Sequence, residues 1–101
     1  MTLEEHVEEG TTAVAMGEFE KAVEHFRKAT ELDPNHFEAW HSLGMACMKL
    51  QKYPEAIEAY QRSLSLEHGR YNPETLRNLR TASVDSVYMK RGFHRKGHFK
   101  R

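Results

Sequence analysis

Seven histidines, one cysteine and fifteen carboxylates are the side chains of this chain with the chemistry for catalysis or metal binding. Their spacing argues against both. The six glycines stand singly, so no Gly-rich loop is available to cradle a phosphate. Cys47 falls on the inner side of a predicted helix, where a thiol is a small core residue; a nucleophile would need an exposed, low-pKa thiolate. His94 and His98, four apart, would face the same way on a helix and could share one metal ion. Gly92 and Gly97 disfavour a helix there, and no cysteine or carboxylate completes the site. His6, His25, His36, His41 and His68 are spread over five turns, and most of them are expected in solvent. No catalytic, cofactor or metal residue is assigned, and the expected function is binding, not catalysis.

The other chemistry is charge. The chain closes on "KRGFHRKGHFKR", residues 90–101, in which Lys90, Arg91, Arg95, Lys96, Lys100 and Arg101 flank Phe93 and Phe99. The formal net charge of zero hides a split. Residues 1–69 hold 13 acidic and 6 basic side chains, a net −7, and residues 70–101 hold 2 acidic and 9 basic ones, a net +7. Such asymmetry points to a basic tail that seeks an anionic partner. The partner is a membrane lipid surface, nucleic acid, an acidic protein, or the chain's own acidic body, in the same copy or in another.

A length of 101 residues predicts one small domain. A chain of this size buries only about two-thirds of its unfolded surface and has little core to spare for an enclosed active site. At 30% charged residues, and with no apolar run near the ~20 residues of a membrane helix, no spanning segment is expected. The start, "MTLEEHVEEG", is acidic where a secretory signal would be basic and then apolar. A single cysteine allows no internal disulfide, so a reducing, cytoplasmic location is expected.

Residues pair at an offset of 34: Gly10 with Gly44, Ala22 with Ala56, Phe26 with Tyr60, Phe19 with Tyr53, Val23 with Ile57, Leu32 with Leu66. A period in this range marks a repeat architecture. Each period reads as two helices. Thr2 and Glu5 form a capping box that opens the first, which Gly17 stops after about Met16. The second runs from about Glu20 to Leu32, with Ala22, Val23, Phe26 and Ala29 on one face, and ends at Pro34. The third runs from about Phe37 to Leu50. Pro54 stands in the first turn of the fourth, whose matching face is Ala56, Ile57, Tyr60, Ser63 and Leu64. A fifth helix is predicted over 72–90, capped by Asn72 and carrying Leu76, Leu79, Ser83 and Val87, widened by Val84 and Tyr88, to cover Ile57, Tyr60 and Leu64.

The second unit resembles a tetratricopeptide repeat through Trp40, Leu43, Gly44, Ala56 and Tyr60. The first is similar through Gly10, Ala22, Phe26, Ala29 and Pro34. Departures occur at His6 and Glu9, where the family has Trp and Leu, at Ala13 and Cys47, where Tyr is usual, and at His68, where Pro is usual. The first helix is thus more polar than a central repeat helix, as suits a terminal unit. The fifth helix resembles the family's terminal cap, with a connection two residues longer, so that Leu76 and Leu79 mimic Trp40 and Leu43.

The resemblance implies an all-α fold of antiparallel helix pairs stacked as a short right-handed solenoid. It divides the chain into helix pairs at 1–36 and 37–70, a capping helix at 71–90 and a basic tail at 91–101. It also implies a concave groove, lined by the first helix of each unit, that receives a peptide or a partner helix. The matching positions are Glu4, Val7, Thr11 and Val14, then Glu38, His41, Met45, Met48 and Lys49. Met45 and Met48 suit a surface that adapts to a partner, or pack on the fifth helix or a second copy. One subclass grips chaperone C-termini with Lys and Asn in this groove; Val7, Thr11 and Ser42 stand at those places here and argue against that mode. With only two repeats, self-association of the protein also remains open.

Overall fold

A computed structural model describes residues 1–66, 70 and 72–90. Among them the chain forms five helices: α1 (Leu3–Ala15), α2 (Phe19–Leu32), α3 (Phe37–Lys49), α4 (Tyr53–Ser65) and α5 (Pro73–Lys90). The odd-numbered helices share one design at their starts. Thr2, His36 and Asn72 each accept, through the side chain, the backbone N–H three residues ahead, at Glu5, Ala39 and Thr75. Thr2 completes its capping box by donating its own N–H to Glu5 at 2.8 Å. The turns inside the two pairs are also alike: Gly17 has φ 77° and Gln51, 34 residues on, has φ 59°. Only the first of these is a glycine, which adopts that backbone without cost.

Helices α1 and α2 pack as one antiparallel pair and α3 and α4 as another; α2 meets α3, and α5 lies on α4 and touches α3. The result is a short solenoid of stacked helix pairs. Two glycines make the pairs close. A Cβ on Gly10 would stand 2.7 Å from the Phe26 ring, and one on Gly44 2.6 Å from the Tyr60 ring. Both aromatics are almost wholly buried, at 2% and 1% exposure. Each contributes roughly 1.5–3 kcal/mol through the apolar surface it hides. Ala13, Ala22, Leu43, Ala46, Cys47, Ala56, Ala59 and Ala82 complete the core around them. The small residues let backbones approach, and the two rings fill what is left.

Helix α5 is seated on a face rotated from the predicted one: of the predicted stripe Leu79 packs against the core. Leu76, Val84 and Val87 are about half exposed, at 45%, 46% and 50%, and Ser83 is exposed. The buried residues are Thr75, Ala82 and Asp85, with Asn78, Leu79 and Ser86 half-buried. The offset of 36 that matches Leu79 to Leu43 also describes this face. Thr75, Leu79 and Ala82 repeat Ala39, Leu43 and Ala46 of α3 at an offset of 36. Ala39 and Ala46 are buried on α3, and Thr75 and Ala82 are buried at the matching places of α5. The larger apolar residues are left on the side that α3 turns toward α4.

Candidate functional site

On α3 the buried residues Ala39, Leu43, Gly44, Ala46 and Cys47 occupy one side of the helix. Glu38, His41, Met45, Met48 and Lys49 lie on the opposite side by helical spacing. His41, Met45 and Met48 are half-buried there, while Glu38 and Lys49 are exposed. The equivalent positions of α1 repeat the pattern: Val7 and Val14 are half-buried, and Glu4 and Thr11 are exposed. Thr11 Oγ1 donates to the Val7 carbonyl at 2.8 Å, so its polar end is turned back onto its own helix. Val14, Met45 and Met48 all pack their inner parts against the core. The surface therefore offers apolar side chains that are anchored below and open above.

His41 joins this surface to α5. The Thr75 hydroxyl donates to Asn72 Oδ1 at 3.2 Å, which leaves its lone pairs to accept from His41 Nδ1–H at 2.7 Å. The other ring nitrogen, Nε2, is 4.0 Å from Glu74 Oε1. Burial lowers the His41 pKa from the ordinary imidazole value, and the Glu74 charge opposes that shift. The ring also leans on Tyr60 at 5.8 Å between centroids. Tyr60 is pushed to a higher pKa by burial, despite a hydrogen bond with Asn78 of α5. One groove candidate is thus also a tie between α3, α4 and the terminal helix.

The other histidines overturn the expectation that most lie in solvent. His6 is buried at 9% exposure, and its Nδ1 is 3.1 Å from Nδ1 of half-buried His25. His36 is half-buried and caps α3 through Nδ1. An imidazole is mostly carbon with two polar corners, so it packs in a helix interface when a partner meets those corners. The positions equivalent to His6 and His25 are Trp40 and Ala59: two medium rings in the first pair stand where the second has one large ring and a methyl group. Trp40 Nε1 donates to the Pro34 carbonyl at 2.8 Å, and Arg62 lies 5.0 Å from its ring centre. The offset of 34 could have exposed this exchange of volume from sequence; hydropathy alone could not.

Cys47 is fully buried, and burial, with a smaller push from Glu55, raises its thiol pKa. It is a core residue. Among the described residues no group of three or more His, Cys, Asp or Glu side chains is placed to hold a metal. None of the described helices is long and apolar enough to cross a membrane. Lys90 ends α5, and Arg91, Phe93, Arg95, Lys96, Phe99, Lys100, Arg101 and the His94–His98 pair lie outside the described residues.

A family model described as the tetratricopeptide repeat matches residues 7–73. An uncharacterized protein of Methanocaldococcus jannaschii is 36% identical over 75 residues, covering 70% of this chain and 87% of that protein. A peroxisomal targeting signal receptor of Kluyveromyces lactis is 37% identical over 67 residues, covering 62% of this chain and 12% of the receptor. A heat-shock protein cognate (HSC) co-chaperone of Aspergillus fumigatus is 36% identical over 67 residues, covering 66% of this chain and 20% of the co-chaperone. The chain thus spans most of the archaeal relative and a small part of the two fungal ones.

Proposed function

This chain belongs to the tetratricopeptide repeat family, and from that premise we propose that it is a non-catalytic interaction module that holds a peptide or partner helix on the face of α1 and α3. The observation that supports the reading is the row of half-buried Val7, Val14, His41, Met45 and Met48, bordered by exposed Glu4, Thr11, Glu38 and Lys49. Methionine side chains adapt to the shape of a partner at little cost. The receptor and co-chaperone relatives lend the reading support as proteins of the same family. Capture of a chaperone C-terminal carboxylate is not part of it, because Val7, Thr11 and Ser42 supply no cation.

The test starts with a partner captured by the full chain from its source cell. Glu38→Lys combined with Met45→Ala should weaken that partner's binding at least tenfold, and Lys28→Ala, at an exposed position of α2, should leave it unchanged. Equal affinity for all three proteins would refute the groove. The charge split of the sequence favours a second reading, in which the basic residues 90–101 dock on an anionic surface. That binding would fall steeply with added salt.

A further inference from the structure

We infer that the partner for this surface is a basic amphipathic helix laid across α1, α3 and α5. The inference rests on the groove reading above and adds the class of ligand that the groove takes.

Two rows of side chains run across the three helices, which hold the same place in successive units. Offsets of 34 and then 36 residues carry Glu4 to Glu38 and Glu74, and Val14 to Met48 and Val84. Glu4, Glu38 and Glu74 are each the second residue of their helix, and all three are exposed. Among the described residues Glu4 and Glu38 have no ion-pair partner, and Glu74 faces His41 at 4.0 Å. A first-turn carboxylate suits its helix dipole, but any first-turn position would serve; here all three helices use the same one. Helix α1 has no Lys or Arg. Lys49 stands at the other edge of the face, about 16 Å from Glu38 along α3, and Arg77 is one turn from Glu74.

The second row is apolar. Val14 and Met48 pack their inner parts on the core and stay half-buried. Val84 continues the row on α5 at 46% exposure, so the floor extends onto the terminal helix. His41 fastens α3 to α5 through Thr75 at 2.7 Å, which fixes these two parts of the floor relative to each other.

The spacing selects a helical ligand. Within each helix the two rows are ten residues apart, about 15 Å. A strand, about 5 Å wide, meets one row or the other. A helix about 10–12 Å across rests on the apolar row and turns a flank toward the carboxylates, whose own side chains close the remaining distance. Neighbouring helices pack about 8–10 Å apart, and residues seven apart on a helix lie about 10.5 Å apart on one face. A ligand with large apolar residues and flanking arginines at intervals of seven thus meets α1, α3 and α5 in turn. Its guanidinium groups suit the carboxylates, and Met48, at the middle of the floor, adapts to its apolar side chain.

The probe is a fluorescein-labelled peptide of three heptads, with Leu at the first and fourth places of each, Arg at the fifth and seventh, and Ala elsewhere. Arg on both flanks keeps the peptide from pairing with itself. A counterpart has Glu for every Arg, and a third peptide has the residues of the first in shuffled order. Fluorescence anisotropy with the full chain should show the Arg peptide binding at least tenfold more tightly than either. Glu4→Gln, Glu38→Gln and Glu74→Gln together should abolish the preference for Arg over Glu, and Val84→Ser should weaken the Arg peptide severalfold. Glu20→Gln, Glu24→Gln and Glu31→Gln, at exposed positions of α2, make the same change in net charge and should preserve the preference. The inference is overturned if the Glu or shuffled peptide binds as well, if no peptide binds, if both triple variants lose the preference alike, or if Val84→Ser changes nothing. Each of these results leaves the groove reading to its own test, which scores a captured partner against Glu38→Lys with Met45→Ala.

Discussion

Helices α3 and α5 begin alike and end up in different surroundings. Each is capped by a side chain that accepts the third N–H, from His36 in one and Asn72 in the other. Each buries two small or short residues at matching places, Ala39 and Ala46 in α3 and Thr75 and Ala82 in α5. They part on the next face. There α3 presents Gly44 and Cys47 to Tyr60 of α4, whereas the equivalent positions of α5 are Arg80 and Ser83, both exposed. A helix with Arg where the others have Gly cannot receive an aromatic ring at that point. The comparison teaches that the two helices share their caps and their small buried residues, and that termination lies in the residues offered to the next helix.

The strongest way to break the comparison is at Gly44. Gly44→Val would drive a branched side chain into the Tyr60 ring and should cost about 2–3 kcal/mol, as overpacking of a tight core does. Arg80→Val at the matching place should stay within about 0.5 kcal/mol, since that surface is open. Urea unfolding of both variants decides it; equal losses would mean that α5 has a further helix against it.

A sharper probe is the tie between the two helices. Thr75→Val keeps the shape and removes the hydroxyl from His41 and Asn72, with an expected loss of about 1 kcal/mol. The same tie sets a pH dependence. His41 has its folded pKa below its unfolded one, so its neutral form is the better fit. Its contribution to stability is complete above the ordinary imidazole value of ~6.5. As pH falls from there toward the folded pKa, that contribution is lost. Glu74→Gln removes the charge that opposes the shift and should steepen this loss. Thermal unfolding between pH 8 and 5 checks it, and an unchanged slope in Glu74→Gln would show that Glu74 does not sense the ring.

The smallest effect concerns the inner turns. Gln51 holds a left-handed backbone where the first pair has Gly17. Gln51→Gly should stabilise the fold by about 0.5 kcal/mol, the relief of strain being partly offset by a more flexible unfolded chain. A lower urea midpoint would show that the side chain has a compensating contact.

Much of the fold was legible because its signals are local. The spacing of Gly10 and Gly44, of Phe26 and Tyr60, and of the Thr2 and Asn72 caps identified the helices and their pairing, since each device acts within one or two turns. The groove candidates were legible only as positions on a face. Their half-burial comes from neighbouring helices, and His41 shows why that matters: its partners Thr75 and Glu74 lie in another helix, a full repeat away.

What the sequence determined by itself is therefore the set of helices, their period and the partition of charge between body and tail. All three follow from residue type and from contacts a few positions apart. The tertiary structure alone decided which side of α5 is buried, that His6 and His25 meet inside the first pair, and that His41 ties α3 to the terminal helix. Apolar periodicity favoured Leu76, Val84 and Val87 for burial, but Thr75 and Ala82 are the residues buried, and Thr75 is held there by hydrogen bonds to Asn72 and to His41 of another helix, which periodicity cannot report.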